Sequence, residues 1–289
     1  MDGAAPPPDG IVRPNLSGLA VYKMTGSGND FVMVDGRTSS PEDWDPSDIR
    51  AVCARGTGLG ADGLVFVGPG SGSDAIRMIY FNNDGSRAAL CGNAALCTTR
   101  LAAHLGLANG GAMHLETDAG TYEGRSAGED GRAELHLAPV AVPSVVRPLH
   151  LQTGEERAAL AIVGVPHLVV LVDNVDQVDV AQRGRALRLD PALGADGANV
   201  NFVSPGGGPS EWRMRTYERG VEAETLACGT GAVAVGCALE HWGRTELPVT
   251  LLTRSGRRLG VRAHRGTSGT YDEVWLVGEA QMVFRGVLI

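Results

Sequence analysis

The chain has an odd number of cysteines, and its five Cys form no CxxC pair and no disulfide-framework spacing, so a stapled secreted fold is not expected. The thiols are read as reduced and the protein as cytoplasmic. No run of Lys or Arg forms a basic stripe, and 25 basic residues against 33 acidic ones leave a formal charge of −8, which argues against nucleic acid or an anionic membrane as partner. No apolar stretch approaches the roughly 20 residues of a membrane span. The opening segment MDGAAPPPDGIVRPNLSG lacks the basic-then-apolar order of a signal peptide, and residues 1–18 read as a disordered, solvated tail. A metal site is not expected, because Cys91 and Cys97 point to different faces of a helix and no His is spaced to join them. The GxG of TGSGND (25–30) lacks a third glycine and joins strand to strand, so it is no dinucleotide fingerprint. No pyridoxal-type lysine is evident.

What is present is a globular composition, 43% hydrophobic and 20% charged, with 289 residues, enough for two domains. The chain also repeats itself. LCGNAALCTTRLAAHLG (90–106) and ACGTGAVAVGCALEHWG (227–243) share a Cys-Gly pair, an Ala four residues after the Cys, a His thirteen after and a Gly fifteen after. Cys91 and Cys228 are 137 residues apart, and three more segments recur at close to that distance. RMIYFN (77–82) returns as RMRTYE (213–218) at 136, GADGLVF (60–66) as GANVNFV (197–203) at 137, and NDFVMVD (29–35) as HLVVLVD (167–173) at 138. Two copies of one domain are expected.

Within each copy, short runs rich in β-branched and aromatic residues between Gly, Pro or Asn read as strands. The proline-free apolar run after each Cys-Gly reads as a buried helix ending at Gly106 or Gly243, with a curved sheet around it. Each Cys then stands at a helix N-terminus, where unsatisfied N–H groups and the dipole favour a thiolate and also bind carboxylates. A lone buried Cys is by default a small core residue. Placement of both at the helix start, beside Gly, favours function for Cys91 and Cys228. Cys53, Cys97 and Cys237 read as packing, and His104 and His241 as partners of the helix C-termini.

Glu218 and Arg219 of YERG end a strand leading toward the second Cys, and Asn82 is the repeat counterpart of Glu218. Asn29, Asn199 and His167 stand at the ends of other repeated strands; each alone would be an ordinary turn residue, but as a set they read as a polar lining. Two half-sites with one thiol each suit a reaction in which a proton leaves one face of a carbon and another arrives on the opposite face. The N–H groups of Gly92, Asn93, Gly229 and Thr230 would hold the substrate carboxylate and stabilise the carbanion.

KMTGSGNDF, GADG, FNNDGS, CGN, ANVNF, YERG and ACGTGA resemble the diaminopimelate epimerase family, over nearly the whole chain from about residue 19. The resemblance implies an α+β fold of two pseudo-symmetric halves, each a mostly antiparallel curved sheet or barrel wrapped around a central helix. The halves would be residues 19–137 with 278–289, and 138–277. It implies interconversion of LL- and meso-diaminopimelate without a cofactor, by a thiolate and thiol pair, Cys91 and Cys228. Asn29, Asn82, Asn199, Glu218 and Arg219 would bind substrate, His167 and Glu218 would tune the thiols, and the protein would be a homodimer. Four positions depart from the family pattern. Val165 stands where a substrate-binding Asn is usual, Ala94 and Leu96 stand where Gly and often Arg are common, and Gly63 stands where some members have Gln. The segment RGVEAET before the second Cys is one residue longer than the commonest spacing. A related racemase of another amino acid such as histidine, a dithiol redox switch and an amino-acid binding module remain as alternative readings.

Overall fold

A computed structural model of the chain describes residues 13–108, 111–127, 131–208 and 210–289. Two compact units divide near Leu135, the first taking back the terminal segment Glu279–Ile289 and the second comprising His136–Gly278. Most of the tail expected over residues 1–18 lies outside the described residues. Residues 13–18, expected to be solvated, instead carry a 3-10 turn at Pro14–Leu16. Leu16 is buried in a cluster with Trp44, Ile49 and Val52, and Arg13 pairs with Asp45 and Asp48, so one apolar anchor and an ion pair hold this piece against the first unit.

The first unit holds β1 (Ala20–Gly26), β2 (Asn29–Asp35), β3 (Gly63–Pro69), β4 (Ala75–Asn82), β5 (Arg87–Ala88), β6 (Ala112–Thr117) and β7 (Gly120–Ala127). β8 (Arg132–Leu137) crosses the division, followed by β9 (Val140–Ala141). The second unit holds β10 (Glu155–Val163), β11 (Val165–Val172), β12 (Asn199–Pro205), β13 (Glu211–Glu218), β14 (Ala223–Thr225), β15 (Val249–Leu252) and β16 (Arg258–Arg265). β17 (Thr270–Val287) begins in the second unit and ends in the first.

In the first unit the ladder runs β1–β2–β3–β4–β6–β7, with β5 sharing the far edge of β4 and the end of β17 pairing with β1. In the second it runs β10–β11–β12–β13–β15–β16, with β14 sharing the edge of β13 and the start of β17 pairing with β16. Each ladder is antiparallel except at two matching places, β2–β3 and β4–β6 in one, β11–β12 and β13–β15 in the other. The expected α+β class with a mostly antiparallel sheet in each half is therefore found.

Four α-helices occur among the described residues: α1 (Pro46–Cys53), α2 (Gly92–His104), α3 (Val180–Arg188) and α4 (Gly229–His241). α2 touches β1, β2, β3, β4, β6 and β7, and α4 touches β10, β11, β12 and β16. Each sheet thus curls round its own central helix. Both helices are 13 residues, about 20 Å, and their ends are set by Gly106 (φ 66°) and Gly243 (φ 67°), left-handed positions that glycine takes without strain. The outer sheet faces carry α1 on Val32, Val34, Leu64 and Phe66, and α3 on Leu168, Val170, Val200 and Phe202.

The ladders refine the repeat. Phe31 pairs with Gly63 and His167 with Asn199; Leu64 pairs with Phe81 and Val200 with Tyr217. All these equivalences are 136 residues apart, where sequence matching suggested 137 for β3 and 138 for β2. A slip of one residue in a strand moves every side chain to the opposite face, so alternation rules out 137 for β3, and the pairing of β2 with β3 and of β11 with β12 then fixes 136 for β2. The helices are offset by 137 because the hairpin after β13 is one residue longer: Glu218 pairs with Ala223, whereas Asn82 N–H donates to Ser86 O.

Candidate active site

Cys91 and Cys228 are the N-cap residues of α2 and α4, with nearly identical backbones (φ −131°, ψ 120° and φ −132°, ψ 112°). Neither side chain makes a capping bond to its helix, so the thiols leave the first-turn N–H groups at Gly92, Asn93, Gly229 and Thr230 uncapped by the residue that normally caps them. Cys228 is buried and its Sγ lies 3.7 Å from Thr230 Oγ1; Cys91 is half-buried. The other three thiols differ in kind. Burial pushes Cys53 and Cys237 up to about 12, and burial, then the neighbouring Cys91, pushes Cys97 higher still, so all three stay protonated in the core.

In the first unit Asn29, at the start of β2, accepts a bond at Oδ1 from Asn93 Nδ2 (2.7 Å) and donates from Nδ2 to Asp62 Oδ2 (2.9 Å). The start of β2 is thereby tied to the first turn of α2. Asn93 Oδ1 is buried and has no partner among the described residues. Asn82 turns back on its own hairpin, donating from Nδ2 to Ser86 Oγ (3.0 Å).

In the second unit Asn199 Oδ1 accepts from the Arg219 N–H (2.7 Å), joining the start of β12 to the turn after β13, and His167 is its register neighbour on β11. Glu218 is the last residue of β13. His167 is fully buried; burial, reinforced by the charge of Arg219, pushes its pKa down to about 3, so the imidazole is neutral. Its Nδ1 faces Asn201 Nδ2 at 3.3 Å, and its Nε2 is buried without a partner among the described residues. If Nδ1 accepts from that amide, the proton sits on Nε2. A neutral ring can then act on a neighbour by hydrogen bonding but not by charge.

Sequence reasoning missed Asn201. It is fully buried, accepts from Thr216 Oγ1 (2.9 Å), and links His167 to β13. A Cβ on Gly231 would lie 2.4 Å from Asn201 Oδ1, so the glycine of ACGTG is what lets this amide lie against α4. The signal was present: Asn201 occupies an inner-face position of ANVNF, where a polar residue is exceptional. Among the described residues no group of three or more His, Cys, Asp or Glu could hold a metal, and no helix is long and apolar enough to cross a membrane.

Two sheet-wrapped helices define a fold shared with solved proteins of low sequence identity. A PhzF-family phenazine biosynthesis protein of Bacillus anthracis superposes with TM-score 0.69 at 16% identity, over 94% of this chain and 99% of its own. A hydroxyproline epimerase of Agrobacterium vitis, solved with trans-4-hydroxy-L-proline bound, gives 0.66 at 16% identity over 94% and 90%. At the sequence level the family model for diaminopimelate epimerase matches residues 21–137 and 159–283. The diaminopimelate epimerase of Gemmatimonas aurantiaca is 45% identical over 93% of this chain and 98% of its own length, and that of Aquifex aeolicus is 37% identical over 93% and 98%. The chain belongs to the diaminopimelate epimerase family and is an isomerase.

Proposed function

We propose that this protein epimerises LL-2,6-diaminopimelate and meso-2,6-diaminopimelate by a two-base reaction in which Cys91 and Cys228 exchange the roles of thiolate base and thiol acid. One sulfur removes the α-hydrogen and the other returns a proton to the opposite face, so the reverse reaction swaps their roles. The substrate α-carboxylate takes bonds from the first-turn N–H groups of Gly92, Asn93, Gly229 and Thr230, which stabilise charge developing at the α-carbon. Asn29, Asn82, Asn199, Glu218 and Arg219 hold the remaining polar groups, and His167 and Glu218 adjust the thiols. The observation that carries this reading is the matched geometry of the two cysteine caps, in a family member whose other three thiols are locked in the protonated form by burial.

The test is α-hydrogen exchange in deuterated water. LL-diaminopimelate should acquire deuterium as the meso form appears, and Cys91→Ser and Cys228→Ser should each abolish net epimerisation. Exchange confined to a different amino acid from a panel would overturn the substrate; exchange unaffected by either substitution would overturn the mechanism. The same reading makes the protein a cytoplasmic homodimer with no nucleic-acid or membrane partner, which sedimentation of the purified chain checks for the dimer.

A further inference from the structure

Lys23 is the single lysine of the chain, which otherwise carries its positive charge on arginine. It lies in β1 with its side chain 10% exposed, and its Nζ donates to Asp30 Oδ2 (2.6 Å) and to the Gly60 carbonyl. Asp30 also accepts from Arg55 Nη2 at Oδ1 (2.6 Å), and the same Nη2 reaches Asp62 Oδ1 (2.7 Å). Asp62 Oδ2 accepts from Asn29 Nδ2 and from the Asp30 N–H, and Asn29 Oδ1 accepts from Asn93 Nδ2 beside Cys91. Two cations and two carboxylates therefore end on one amide. Burial alone would raise Asp30, but the bonds from Arg55 and Lys23 outweigh it and hold the carboxyl below its ordinary range.

The fold does not need this network. At the 136-residue offset the counterparts of Asn29, Asp30 and Asp62 are Val165, Pro166 and Ala198, and the second unit closes the same ladder with them. A partly buried ion network also contributes little net stability once desolvation is counted. What it does supply is orientation: with Oδ1 committed to Asn93 and one Nδ2 hydrogen to Asp62, Asn29 is left with one N–H and one lone pair in a fixed direction.

We infer that Lys23, Asp30, Arg55 and Asp62 form a positioning network that aims the Asn29 amide at substrate in the Cys91 half-site. The inference rests on the reading of Asn29 as a substrate-binding residue. It is tested on the full chain with LL-diaminopimelate by a double-mutant cycle. Lys23→Met is expected to raise KM about tenfold with kcat changed less than about threefold, and to have almost no further effect when Asn29 is already Ala. Arg55→Gln supplies a second variant should Lys23→Met fold poorly, because the Arg55 side chain is 60% exposed. It should raise KM about threefold and likewise be silent beside Asn29→Ala. An unchanged KM in both single variants, or the same loss recurring in the Asn29→Ala background, overturns the network's role while leaving wild-type epimerisation intact. A wild-type chain that does not turn over LL-diaminopimelate instead removes the functional reading, and this inference with it.

Discussion

The two units share a backbone and differ in chemistry. In the first unit Phe31, Val65 and Tyr80 occupy inner strand positions, the rings of Phe31 and Tyr80 meeting edge to face at 6.1 Å. Their counterparts 136 residues later are His167, Asn201 and Thr216, a buried chain of polar groups running from a neutral imidazole through an amide to a hydroxyl. The charges lie the other way round. The first unit places Lys23, Asp30, Arg55 and Asp62 around Asn29, whereas the second has Val165, Pro166 and Ala198 in place of Asn29, Asp30 and Asp62. A duplicated fold has thus kept its cysteine caps alike and let the supports diverge: a partly buried ion network on one side, buried neutral hydrogen bonding on the other. The supports respond to different conditions, since salt reaches the ion network through its exposed Arg55, whereas the ring of His167 stays neutral until the pH falls toward 3.

The largest effects should come where the halves are alike. Replacing either Cys91 or Cys228 by Ala should reduce epimerisation by about 10³-fold or more. Comparing deuterium uptake from the LL and meso isomers then sharpens the comparison: if the thiols are paired functional equivalents, the two losses are of similar size, and a variant that keeps near-normal turnover breaks the equivalence. Next comes the contact under Asn201. Gly231→Ala forces a Cβ against Asn201 Oδ1 and should destabilise the protein by about 2–3 kcal/mol in urea unfolding. The equivalent residue on α2 is already Ala94, because its strand partner position holds Val65; Ala94→Gly should cost only about 1 kcal/mol. Equal losses at the two sites would deny that Asn201 is the reason for the glycine.

His167 provides a pH test of the second half. Its folded pKa, about 3, lies below its unfolded value, near 6.5, so between these limits the unfolded chain binds the extra proton. Stability should rise with pH across that window, by up to about 1.4 kcal/mol per unit, and level off above it. His167→Asn should flatten that slope, while an NMR titration of the native protein should show the ring neutral down to pH 5. Protonation of the native ring near pH 6 would refute its burial as a neutral donor. Smallest of all, Cys97→Ala and Cys237→Ala should each cost about 1–2 kcal/mol of stability and leave turnover within about twofold.

Most of the architecture was legible in the sequence because strand alternation and a doubled Cys-Gly-helix phrase are local patterns. The strands of Asn29–Asp35, Gly63–Pro69, Ala75–Asn82, Asn199–Pro205 and Glu211–Glu218 stand where their β-branched runs are, and both helices begin at the cysteines and end at their glycines. The repeat offset was misjudged at β3 because matching identical letters such as Gly60 with Gly197 ignores which face of the strand each side chain takes, and at β2 because only the pairing partners, Gly63 and Asn199, fix the register. Leu16 escaped for a similar reason: one apolar residue in a Pro/Gly-rich segment carries no periodicity, and only the pocket formed by Trp44, Ile49 and Val52 gives it a place.

By itself the sequence determined that one phrase is used twice, that a cysteine opens each central helix, and which family the motifs resemble, because these are spacings along a single chain. Tertiary structure alone decided that Asn93 ties α2 to Asn29, that His167 is neutral, and that Asn201 and Gly231 are one feature. Each of these depends on desolvation or on contact between residues far apart in sequence, and no local pattern encodes how much water a folded chain leaves around a side chain.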